Sequence, residues 1–154
     1  MSYQALLLKI LKERKEGRKI VFTNGCFDLL HLGHIRYLYE AKKYGDILVV
    51  GINSDRSVKL LKGEYHPIIS ELERSEMIQS LKPVNYSIIF DELTPEKLIR
   101  EIKPHIHVKG GDYSMDEIPE SKIMNEIGGK TIIVPLIPGK SSTAVIQKII
   151  SLYR

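Results

Sequence analysis

Five short apolar runs punctuate the chain, at residues 19–23, 47–53, 86–90, 106–109 and 131–135. They are rich in Val and Ile and apolar on both parities, as strands are when both faces of a parallel sheet are covered. Between and around them, apolar residues at three- and four-residue spacing predict helices over 4–16, 33–44, 71–81, 95–102, 120–127 and 143–152. The punctuation agrees. Ser70 with Glu73 fits a capping box, and Thr94 before Pro95 fits an N-cap with proline at the first helical position. Gly45 and Gly128 stand where helix C-caps are expected. Residues 54–70 carry no clear pattern and much charge. The alternation predicts an α/β fold, a Rossmann-like doubly wound sheet of about five parallel strands with helices on both faces.

With 154 residues the chain is expected to be one domain with a sizeable core, residues 1–154, with the helix over 4–16 outside its motifs. Hydrophobic residues at 43% and charged residues at 27% fit a globular protein. No apolar run approaches a membrane span, and the N-terminal segment interleaves its apolar residues with Lys and Glu. A cytoplasmic protein is the expectation. The single cysteine, Cys26, excludes an internal disulfide and a cysteine metal cluster, and reads first as a small buried hydrophobe. A net charge of +4 suits a small anionic ligand. The basic residues are spread along helices among Glu, so no nucleic-acid surface is expected.

The chemistry concentrates in "NGCFDLLHLGH", residues 24–34, which leaves the first strand and opens a helix. Ligands of open parallel sheets bind at the carboxyl ends of strands, and a helix N-terminus there favours an anion. Gly25 permits a sharp turn, and Gly33 removes a side chain where a phosphate could approach. His31 and His34, three apart, share a helix face. They could both donate to phosphate oxygens, hold a metal with further ligands from elsewhere, or simply pack and cap. His105 and His107, beside the fourth strand, read as structural.

The string "GCFDLLHLGH" resembles the signature of the nucleotidyltransferase superfamily, in which G-x-F-D precedes H-x-G-H. "VVGINSDRSVKLLKG", "ERSEMIQSLKPV", "DELTPEKLIREIKPHIHVKGGDY" and "VPLIPGKSSTAVI" follow in order. Together they are most similar to the adenylyltransferase domain family of the bacterial ADP-heptose pathway, from about residue 18 onward. That domain is often fused behind a sugar kinase, and the resemblance implies a stand-alone form here.

The resemblance implies attack of D-glycero-β-D-manno-heptose 1-phosphate on the α-phosphorus of ATP, giving ADP-heptose and pyrophosphate. A cytidylyltransferase using CTP and glycerol 3-phosphate or a similar alcohol phosphate is the alternative. His31, His34 and Lys62 are the implied catalytic residues, Lys62 as a flexible ammonium on a Gly-flanked loop. The nucleotide is assigned Cys26, Phe27 and Gly33, then Lys109, Gly110, Gly111 and Asp112, and Ser141, Ser142 and Thr143 at the last helix. Lys140 adds charge beside these. Asn53 and Asp55 close the second strand and shape its loop. Candidate substrate contacts are Asp28, which could instead cap a helix, Asn53, and Arg74, which could instead be a surface charge. His66 stands where the family usually has Arg, and a neutral imidazole lacks the bidentate fork. Mg²⁺ is implied, held mainly by nucleotide phosphates and water. A homodimer is implied as well, with neither a nucleic-acid nor a membrane partner.

Overall fold

A computed structural model describes Met1–Arg154. Strand β1 (Ile20–Gly25) is central, with β2 (Ile47–Asn53) and then β3 (Tyr86–Phe90) on one side, and β4 (Ile106–Gly110) and then β5 (Lys130–Val134) on the other. All four strand pairs are parallel. The chain winds outward from β1 to β3, then crosses back to lay β4 against β1. The carboxyl ends of β1 and β4 therefore splay apart at the reversal point, where such sheets bind ligands.

Alternation along each strand sorts the core into two layers. Ile20, Phe22, Val49, Ile88 and Phe90 meet α1 (Tyr3–Lys15), α5 (Glu96–Ile102) and α6 (Pro119–Glu126). Val21, Leu48, Val50, Ile52 and Val108 meet α2 (Leu32–Lys42) and α4 (Glu71–Gln79) on the other face. Both faces are dry, which explains strands apolar on both parities. No helix is long and apolar enough to cross a membrane.

Three local expectations are corrected. Residues 54–70 are not patternless: Ser54 caps a helix, α3 (Asp55–Lys62), by accepting from Ser57 N–H. The helix is only two turns long, shorter than the roughly ten residues over which a helical period is read with assurance. The α5 cap falls on Pro95, whose carbonyl accepts from Ile99 N–H, and Thr94 makes no capping bond. Gly45 is not a left-handed cap: a Cβ there would lie 2.7 Å from the Lys19 carbonyl oxygen, so close approach of the chain to β1 requires the glycine. Gly128, at φ +82°, does follow α6 as expected. The capping box of Ser70 and Glu73 is present at α4. The last helix, α7, runs Ser142–Tyr153.

Candidate active site

β1 ends on Gly25, and the turn that follows is set by Phe27, whose φ of 49° is left-handed. That conformation costs a non-glycine residue about 1–2 kcal/mol. Burial of its ring offsets the cost: Phe27 is buried, and its ring lies against His34 with centroids 5.2 Å apart. Gly25 is glycine because a Cβ would meet that ring at 3.0 Å. The turn leaves the Cys26 and Phe27 backbone N–H groups without partners, and those of Leu32 and Gly33 at the start of α2 are equally unspent. Three of these donors, on Cys26, Phe27 and Gly33, belong to residues that line one pocket, where the α2 dipole is positive.

His31 is the N-cap residue of α2 and His34 its third residue. The His34 Nδ1 accepts from the His31 backbone N–H at 3.2 Å, so the neutral ring carries its proton on Nε2. The two rings stack at 3.8 Å between centroids. Burial, then His31, then Lys62 push the His34 pKa down to about 4. Burial and then Lys140 lower that of His31 as well. Both rings are therefore neutral donors near pH 7, and positive charge comes from the lysines. The buried His31 Nδ1 has no partner within the chain. Gly33 is required by this packing: a Cβ would lie 2.7 Å from His31 Cε1 and 3.0 Å from Lys140 Cβ.

These groups line a pocket of about 530 Å³ at the carboxyl ends of β1 and β4. Cys26, Phe27, Asp28, His31, Gly33 and His34 reach it from the first turn, Lys62 from α3, and Lys109 with Gly110 from β4. Ser141, Ser142 and Thr143 close it from α7, with Lys140 beside them. The three hydroxyls divide their work. Ser141 Oγ accepts from Ala144 N–H as the N-cap. Ser142 Oγ donates to the Leu29 carbonyl at 3.3 Å and ties α7 to the first turn. The Thr143 hydroxyl bonds to nothing in the chain and lines the pocket. Lys62 ends α3 instead of riding a loop, so its backbone is fixed and only its side chain is free to move. Burial raises the Cys26 thiol pKa, keeping it protonated and unreactive.

Several assigned residues lie elsewhere. Gly111 and Asp112 are not among the pocket's walls. Gly111, at φ +130°, turns the chain away, and Asp112 is exposed beyond it. Asn53 is buried at the end of β2, its Nδ2 donating to Ser57 Oγ and its carbonyl accepting from Arg74. Arg74 is no surface charge and is not among the pocket's walls: it is 1% exposed. Its Nε donates to the Ile69 carbonyl, Nη1 to those of Cys26 and Asn53, and Nη2 to Asp55 Oδ1, all within 2.6–2.9 Å. Asp28 does not cap α2. Its carboxylate accepts from Ile68 and Ile69 N–H at 2.8–3.0 Å and pairs with His66 Nδ1 at 3.2 Å. His66 thus clamps the loop over residues 66–69 to the first turn, with Asp28 as its anchor.

Residue reasoning passed over Asn24, Tyr37, Tyr113, Leu136 and Ile137, which also line the pocket. Tyr37 had a signal, standing three residues after His34 on the same helix face. Its hydroxyl donates to the Val108 carbonyl at 2.8 Å, and a Cβ at Gly110 would meet its ring at 2.9 Å. The Lys109 ammonium sits 5.7 Å from the Tyr113 ring centroid. Asn24 opens the stretch over residues 24–34, and Tyr113, Leu136 and Ile137 join it only through the sheet order.

His107 and His105 are structural, as expected. His107 is fully buried, stacks on Phe22 and lies 3.3 Å from Asn24 Oδ1. Burial and then Lys109 push its pKa down to about 3. His105 Nδ1 accepts from Ile20 N–H. The depressed values of His34 and His107 bear on stability with a definite sign. On acidification the unfolded chain takes up protons near pH 6.5, before the folded chain does. Stability present above pH 6.5 is therefore lost as pH falls toward about 3. The urea midpoint is expected to drop across that window, and His107→Leu to flatten the drop. An equally steep drop in the variant would remove His107 from this account.

The sequence profile of the cytidylyltransferase-like family matches residues 22–150. The bifunctional protein HldE of Geobacter metallireducens is 49% identical over 141 residues, which make up 92% of this chain and 29% of that protein. The corresponding protein of Geobacter sulfurreducens is 44% identical over 144 residues, 94% of this chain and 29% of its own length. The chain thus spans under a third of the length of these curated relatives. The crystal structure of the lipopolysaccharide core biosynthesis protein from Thermoplasma volcanium superposes with a TM-score of 0.65 at 39% identity, covering 79% of this chain and 98% of that one. A five-stranded parallel sheet, paired histidines at its reversal point and a profile match over most of the sequence agree: this chain belongs to the cytidylyltransferase-like family.

Proposed function

We propose that the chain is a single adenylyltransferase domain that joins ATP and D-glycero-β-D-manno-heptose 1-phosphate, giving ADP-heptose and pyrophosphate. The observation that carries the reading is the set of unspent donors in the pocket. The unspent backbone N–H groups of Cys26, Phe27 and Gly33, two neutral imidazoles and the side chains of Lys62, Lys109 and Lys140 belong to residues lining one space, with no free carboxylate opposing them. That set suits a polyphosphate. The likeness to HldE proteins and to a lipopolysaccharide core biosynthesis protein supports a sugar phosphate as acceptor.

An oxygen of the sugar phosphate attacks the α-phosphorus in line, and the bond to pyrophosphate breaks. A phosphate monoester has a second pKa near about 6 and is largely dianionic at neutral pH, so no general base is required. Catalysis then rests on positioning and on stabilising charge as it builds. The His34 Nε2–H and the His31 ring donate to phosphoryl oxygens, and the Cys26 and Phe27 N–H groups hold the α- and β-phosphates. Thr143 and Lys140 hold the outer phosphates, and Lys62 supplies a point charge. Arg74 and Asn53 act behind the site, fixing the Cys26 carbonyl and the end of β2.

The residues present build no cation cage: no group of three or more His, Cys, Asp or Glu could hold a metal, and the Asp28 carboxylate is spent on the 66–69 loop. Mg²⁺ would enter on the phosphates of the nucleotide and neutralise part of their charge. The reading places the domain in the cytoplasm, as a homodimer, with no nucleic-acid or membrane partner.

The test is pyrophosphate release with heptose 1-phosphate, comparing ATP with CTP, and with glycerol 3-phosphate as the control acceptor. Release that requires the heptose phosphate and prefers ATP is expected. Release with CTP and glycerol 3-phosphate would instead support a cytidylyltransferase using the same phosphate site, the reading that the family's own description favours.

A further inference from the structure

Helix α7 contributes no residue to either core layer. Its sequence, STAVIQKIISLY, is nevertheless rich in Val, Ile and Leu and holds a single charge, Lys148. Val145, Ile149 and Leu152 fall on one face, and Ile146, Ile150 and Tyr153 beside it. Ile149 is 50% exposed, Leu152 65% and Tyr153 84%. An apolar stripe of this width over three turns is stable in water when something covers it.

A second uncovered apolar surface lies on α4. A groove of about 580 Å³ has Leu30, Ile69 and Met77 as its apolar walls and Glu73 and Glu76 at its rim. The two surfaces are opposite in charge. The only cation of α4, Arg74, is buried, so the outer face of that helix carries Glu71, Glu73 and Glu76 alone. Helix α7 has no acidic residue. Neither Lys148 nor Glu76 has an ion-pair partner in its own chain.

We propose that a second copy of this chain covers both surfaces at once: each α7 lies in the α4 groove of the other copy, with Lys148 beside Glu76 of the partner subunit. A reciprocal contact of this kind closes on a two-fold axis and leaves neither stripe open. It gives the dimer of the proposed function its contact surface. It also bears on the pocket, because the first turn of α7 carries Ser142 and Thr143. Covering the rest of the helix holds that turn in place.

The experiment is sedimentation equilibrium of the whole chain and its variants. The wild type is expected at twice the 17.6 kDa monomer mass. Ile149→Glu, at an exposed position, is expected to keep its circular dichroism and to sediment as a monomer. Lys148→Glu and Glu76→Lys are each expected to weaken the dimer about tenfold, and the two together to restore it. A wild type that stays at the monomer mass overturns the proposal and leaves α7 to a different protein. A dimer indifferent to Ile149→Glu overturns it too, as does a charge swap that restores nothing. Mass is read without substrate, so failure here is distinct from failure of nucleotidyl transfer.

Discussion

His34→Ala is expected to lower kcat about 10²–10³-fold, the effect of removing one preorganised donor from a developing oxyanion. The size follows from how the ring is held. The His31 N–H fixes its tautomer, the Phe27 ring and the His31 imidazole fix its plane, and burial keeps it neutral. The Nε2–H therefore needs no reorganisation when charge builds on the phosphate. Alanine also removes the capping bond to His31, which costs about 1 kcal/mol of stability and leaves the fold intact. With its pKa at about 4, His34 contributes no acid limb near pH 6.5 to the kcat profile. Single-turnover rates of pyrophosphate release, beside a melting curve, check both parts. A variant with the wild-type rate would take His34 out of the reaction.

Arg74→Met is expected to cost about 3–5 kcal/mol, the range for removing one partner from a buried charged network. That is a large part of the roughly 5–15 kcal/mol that holds a typical domain together. Most of the loss comes from three carbonyls, of Ile69, Cys26 and Asn53, left without their donor. The Asp55 ion pair adds less, because its carboxylate is partly solvated. Arg74→Lys is expected to recover little, since one ammonium cannot span four acceptors on separate segments. Urea midpoints of the three proteins settle the size. If Arg74→Met kept the wild-type midpoint, the guanidinium would have to be assigned a role in binding instead.

The alternation of apolar strands and amphipathic helices determined the fold class, because strands covered on both faces have no polar parity and helices covered on one face do. The glycines and histidines of residues 24–34 pointed to the end of the first strand as the place of the proposed phosphate site, since a tight turn, free N–H groups and a helix start are all local. His31 and His34 were legible for the same reason, Lys62 and the Ser-Ser-Thr run through the family resemblance, and the structure gathers all of them around one pocket. Helix α3 was missed because two turns are too short for period alone to separate a helix from a charged loop. Only the tertiary structure decided what the polar residues outside those motifs do. Arg74 and Asp28 read as candidates for substrate through the resemblance, which carries residue type and position but not burial. Here the sheet order brings the ends of β1 and β2 and the 66–69 loop within reach of both residues, and backbone groups from distant segments saturate their hydrogen bonds. Gly33 and Gly110 read as openings for a ligand. The packed structure shows side chains of the protein itself in that space, the His31 ring at one and Leu136 with Tyr37 at the other. Spacing along a chain records which groups share a turn, whereas the contacts of Arg74 with Cys26, of Asp28 with Ile68 and of Gly110 with Tyr37 join residues tens of positions apart and exist only once the strands have paired.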